Sequence, residues 1–142
     1  MNDKEFRARK KRVWGFANWW QVRMGLRWWK MNWAWLREPI KNAPNALADC
    51  DADWRYLRAT IQVALCNLED EDDEDIERMV VHELCHVLVN EMRAGNLEGF
   101  KVEHEERVCS TLTAAFIWIR DQAQVDGRKA TGQKPLPKPA AR

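Results

Sequence analysis

From Met79 to Val89 the chain reads Met-Val-Val-His-Glu-Leu-Cys-His-Val-Leu-Val, an apolar stretch interrupted by two histidines and one glutamate. No other segment restricts the fold as much. A stretch this apolar belongs in the core, yet imidazole and carboxylate groups are costly to bury unless something satisfies them. The spacing supplies an answer. On a helix, His82 and His86 lie four residues apart on one face, one turn above the other, so both rings can reach a single Zn²⁺. Glu83, beside the first histidine, can reach a water on that ion without being a ligand itself. Zinc lowers the pKa of such a water towards 7, and the carboxylate can take its proton as it attacks a carbonyl.

A third ligand has to come from elsewhere, and Glu103-His104-Glu105-Glu106 opens the next helix at a suitable distance along the chain. At roughly 100° per residue, Val108, Leu112, Ala115, Phe116 and Ile119 define an apolar face whose centre lies about 40° from Glu105 and about 60° from His104. Glu103 and Glu106 point away from that face and read as a solvated helix start. Glu105 is therefore expected as the third ligand. His104 is the second choice, as a ligand or as a catalytic donor to the oxyanion of the reaction.

The rest of the chain supplies the frame. Val13, Phe16, Ala17, Trp20 and Met24 recur at helical spacing, which predicts a helix over about 4–24 with Gly25 as its stop. From Trp29 to Trp35 the period drops to two, as on a strand with one buried face. A short strand over about 46–51 and a better-supported one over about 59–66 follow. The seven consecutive acids Glu69–Asp75 suit a helix N-terminus, with Asp72 or Asp73 as cap, and lead into a helix over about 74–93. A last helix is expected over about 101–124. Helix, three strands, helix, helix make an α+β domain.

At 142 residues the chain has room for one modest core. A single domain is expected over 1–126, with the proline-containing segment 127–142 as a flexible tail. Four scattered cysteines without a C-x-x-C pair read as reduced, mostly buried thiols. With neither a signal-like N-terminus nor a spanning segment, the expected location is the cytoplasm. Net charge is only +1 but unevenly placed: residues 1–45 carry 11 basic and 3 acidic side chains, 46–109 carry 6 and 17, and 110–142 carry 6 and 2. Together with the tryptophans, the basic N-terminal part could contact nucleic acid or a membrane. The preferred reading makes Trp29, Trp33 and Trp35 core residues and lets the basic helix cover the acidic remainder.

With these phrases in hand, the chain resembles the minimal zincins of the gluzincin type, in particular the small metallopeptidase-like proteins of phages and prophages. The matching phrases are Gly25-Leu26-Arg27-Trp28-Trp29, Arg58-Ala59-Thr60-Ile61, Val81 to Leu88 around H-E-x-x-H, and Glu105-Glu106-Arg107-Val108. The resemblance covers about residues 11–120. It implies a zincin-like arrangement of N-terminal helix, three-stranded sheet, active-site helix and ligand-bearing C-terminal helix. It also implies zinc on His82, His86 and Glu105, Glu83 as catalytic base, and a host-cytoplasmic location if the protein is phage-encoded. The Tyr or His that larger gluzincins use on the tetrahedral intermediate has only His104 or Tyr56 to match it. Two functions follow as expectations: hydrolysis of a peptide bound as an added strand along Ala59–Leu65, or a zinc-stabilised binding module without proteolytic activity.

Overall fold

A computed structural model describes residues 1–90 and 100–131 of the chain, with side chains of the last helix from Glu103 to Val125. Helix α1 spans Asp3–Arg23. Asn2 and Glu5 form a reciprocal capping box at its start, each backbone N–H donating to the other's side chain at 2.9 Å. Val13, Ala17 and Trp20 are its buried positions. At its end the Leu26 N–H donates to the Gln21 carbonyl and the Gly25 N–H to that of Val22. This Schellman closure puts Gly25 at φ +72°, where a side chain would be strained.

Three strands follow, β1 (Lys30–Leu36), β2 (Ala48–Asp53) and β3 (Arg58–Ala64), in the spatial order β1-β3-β2. β3 pairs parallel with β1 and antiparallel with β2, so the sheet is mixed. Alternation decides its faces: Trp33, Cys50, Ala59, Ile61 and Val63 are buried, while Asn32, Asp49 and Asp51 are exposed. The strand at 46–51 is found two residues later than its pattern suggested. The segment Ala59–Leu65 had been expected to offer an edge to a peptide. It is mostly β3, hydrogen-bonded on both sides, so among the described residues β1 and β2 form the edges of the sheet instead.

A short 3-10 turn, Leu65–Leu68, carries the chain to helix α2, Asp73–Val89. Asp72 caps α2, its Oδ1 accepting from the Glu74 and Asp75 N–H groups at 2.8 and 2.9 Å. The acidic run meets the basic helix as charge asymmetry suggested. Arg9 pairs with Glu69 and donates to the Leu65 carbonyl, while Arg12 pairs with Asp73 and donates to the Glu71 carbonyl. Helix α3, Phe100–Thr131, packs along α2. It continues five residues past 126, into the segment expected as a tail; residues 132–142 lie outside the described residues.

α2 is buried on nearly all sides between sheet, α1 and α3, and Glu77 is one of the polar groups it carries inside. The Trp20 indole N–H donates to Glu77 Oε1 at 2.7 Å, and Arg120 of α3 pairs with its other oxygen. One carboxylate thus joins all three helices. Removing one partner of a buried ion pair strands the other charge. Glu77→Ala is expected to lower stability in urea unfolding by about 3 kcal/mol, more than Glu69→Ala in the exposed pair with Arg9.

Candidate metal centre

Helical geometry does what the motif requires. His82 and His86 project from adjacent turns of α2, with ring centroids 4.8 Å apart, planes at 81°, and Nε2 atoms 3.1 Å from each other. His86 is buried, and the His82 side chain is a quarter exposed. α3 runs across this face and brings two consecutive glutamates to opposite sides of the His86 ring. Glu105 Oε1 lies 2.8 Å from His86 Nδ1. Glu106 places one oxygen 3.2 Å from His82 Nε2 and the other 3.3 Å from His86 Nε2.

The two carboxylates therefore differ in position from what the helical wheel indicated. Glu105 is buried as expected, but it meets the side of His86 that faces away from His82. Glu106, read as solvated, is exposed as expected, yet its carboxylate also reaches the shared Nε2 edge. The reason is the rotation of α3. Its buried polar line is Glu105, Cys109 and Thr113, while Ala115 and Ile119 of the expected apolar face are exposed. That displaces the contact face by about 60° towards Glu106. The polar line answers the polar groups of α2: Cys109 Sγ lies 3.4 Å from His86 Nδ1, and the Thr113 hydroxyl lies 3.8 Å from Cys85 Sγ. An i, i+4, i+8 pattern of Glu, Cys and Thr was the available sequence signal, and an apolar-only wheel passes over it.

Protonation explains why the Nε2 edge is suited to a cation. The Glu105 carboxylate beside Nδ1 favours the proton on that nitrogen, leaving neutral His86 with a lone pair at Nε2. That lone pair faces the Glu106 carboxylate and the Nε2 of His82. A single proton on His82 cannot satisfy both neighbours, so three acceptor groups converge on one region. The two Nε2 atoms are 3.1 Å apart, one Glu106 oxygen lies 3.2 Å from His82 Nε2 and its other oxygen lies 3.3 Å from His86 Nε2, spacings of the order of the roughly 3.3 Å between donors in a tetrahedral shell with bonds of about 2.0–2.1 Å. Burial, followed by the neighbouring imidazole His86, holds the pKa of His82 below its ordinary 6.5 and so favours the neutral, ligating form, although Glu106 opposes this.

A second group, His86, Glu105 and Cys109, could also hold an ion. Without an ion, burial pushes Cys109 up to about 12 and Cys85 up to about 11, with Glu83 acting in the same sense on both. Three of the four cysteines, Cys50, Cys85 and Cys109, are buried. Glu83 is buried on α2 one residue after His82. His104 and Tyr56 are not brought to the cluster. His104 is exposed and accepts from Arg107 at 2.9 Å, and Tyr56 is exposed in the β2–β3 turn beside Arg58.

Comparison with family models, with curated proteins and with solved structures finds no match to this chain. No helix among the described residues is long and apolar enough to cross a membrane.

The lowered pKa of His82 fixes a sign. As pH falls through 6.5 the unfolded chain takes up a proton that the folded, metal-free protein resists. Stability is then fully present above 6.5 and declines as pH falls towards the folded pKa. Urea midpoints of chelator-treated protein are expected to drop between about pH 7 and pH 5, with a shallower drop in His82→Gln.

Proposed function

We propose that the protein is a zinc-dependent hydrolase of peptide bonds, with His82, His86 and Glu106 as metal ligands and Glu83 as general base. The observation that carries the reading is the convergence of His82 Nε2, His86 Nε2 and the Glu106 carboxylate, with Glu83 next to the first ligand in a buried helix. Two imidazoles and a carboxylate suit zinc. When bound, the ion supplies Lewis-acid activation of water and of the scissile carbonyl.

The chain's own groups have distinct tasks. Glu105 holds His86 in the Nδ1–H tautomer and orients its ring. Glu83 accepts one proton of the attacking water and delivers it to the departing nitrogen, which then leaves as an amine and not as an amide anion. The substrate lies extended against β2, whose outer edge has no strand partner among the described residues and which packs on α2. The Trp54 N–H, just past β2, donates to Asn90 Oδ1 at the end of α2, tying that edge to the helix.

The second reading, a zinc-stabilised module that binds without cleaving, is favoured by one observation. Neither His104 nor Tyr56 reaches the cluster to stabilise an oxyanion.

Zinc content measured by elemental mass spectrometry, combined with competition titration, tests the site. About one zinc per chain is expected, lost in His82→Ala, His86→Ala and Glu106→Ala. Glu105→Ala should bind about 10–100-fold more weakly, as loss of an orienting partner does. Retention of zinc in Glu106→Ala and its loss in Glu105→Ala would move the ion to the Cys109 side. Glu83→Gln should keep zinc and lose at least about a hundredfold in cleavage of a mixed peptide library followed by mass spectrometry. No cleavage by the zinc-loaded wild type would leave the binding module as the function.

A further inference from the structure

The metal-centre reading leaves one concentration of unusual residues unused. Between α1 and the edge strand β1 lies a cleft of about 380 Å³ lined by Lys10, Trp14, Met31, Trp33 and Trp35. None of these belongs to the metal centre. Trp33 and Trp35, two apart on β1, point the same way with ring planes 15° apart and centroids at 5.9 Å. Trp14 stands perpendicular to both, 6.4 Å from each, so the three indoles form a corner rather than a closed pack. Trp14 is 45% exposed. The Trp33 indole N–H is buried and, among the described residues, has no acceptor.

Charge separates this side of α1 from the other. Arg9 and Arg12 are engaged by the acidic run at the start of α2. Arg7, Lys10 and Lys11 fall within about 100° of one another around the helix. All three are exposed, and no carboxylate among the described residues pairs with them. Lys10 leans over the Trp35 ring, 5.6 Å from its centroid. The cleft thus combines a half-exposed indole, Trp14, with the cation of Lys10, and Arg7 and Lys11 lie on the same side of α1.

We propose that this cleft binds single-stranded nucleic acid, with a base stacked on Trp14 in the indole corner and the flanking phosphates on Arg7, Lys10 and Lys11. Stacking on aromatic rings with a cationic track for the backbone is the general chemistry of single-strand binding. A duplex keeps its base faces covered, so it offers this corner nothing. A bilayer would be met by apolar groups standing proud of the surface, whereas these rings line a recess between helix and strand. A peptide matching the rings through proline would leave the cations unanswered.

Fluorescence anisotropy of the full chain with a labelled oligo-dT of about 20 nucleotides tests this. Binding is expected at low salt and should weaken as salt rises. Trp14→Ala should weaken it at least about tenfold, and Trp14→Phe, which keeps a ring, should restore most of the loss. The double change Arg7→Ala, Lys11→Ala should flatten the slope of log K against log salt by about 1.4, two phosphate contacts at about 0.7 each. A duplex of equal length should compete at least about tenfold less well. Thermal melts by circular dichroism establish that each variant is folded. Failure of the wild type to bind oligo-dT overturns the proposal, as does equal binding by folded Trp14→Ala, or binding confined to anionic vesicles.

Discussion

Everything near the candidate centre depends on how α2 is buried. A helix covered by a sheet, by α1 and by α3 cannot carry Glu77, Glu83 and His86 inside unless its neighbours bring polar atoms to the same places. The two neighbouring helices do so. α1 supplies the Trp20 indole and α3 supplies Arg120 to the two oxygens of Glu77. α3 then supplies Glu105 to one nitrogen of His86 and Glu106 to the other. The depth and rotation of α3 on α2 are therefore coupled to polar satisfaction rather than to apolar area alone.

His86 is where this coupling becomes chemistry. A carboxylate at Nδ1 sets the tautomer, and the tautomer directs a lone pair at the point shared with His82 and Glu106. A core that only needed to be filled would not aim three acceptors at each other. His82, His86 and Glu106 could hold a metal ion, and an ion bound there would offset the cost of bringing the three groups together.

Charge organises the other half of the molecule. The acidic run that opens α2 favours that helix through its dipole and cap. It also attracts one side of the basic α1, through Arg9 and Arg12. Lys10, left over from that pairing, sits beside the indoles of Trp14, Trp33 and Trp35, so one helix both closes the domain and lines an aromatic cleft.

Much of this was legible along the chain. H-E-x-x-H places two imidazoles on one helix face through local geometry alone, and strand alternation at Trp33 and at Ile61 marks buried positions without any partner being known. Asp72 and Gly25 announce helix ends, because caps and left-handed turns are short-range. What had to wait was the relative rotation and order of elements. Whether Glu105 or Glu106 faces the shared Nε2 edge turns on about 60° of rotation in α3, which is set by contacts among Cys85, Cys109, Thr113 and His86. Strand order, too, is a long-range property: nothing local to Ala59–Leu65 says that it is central, because only its two partners, drawn from segments far apart in the chain, make it so. The chain by itself determined which groups sit on α2 and how they are spaced. The tertiary structure alone decided which carboxylate meets them, since a helix fixes its own periodicity but not the angle at which another helix packs against it.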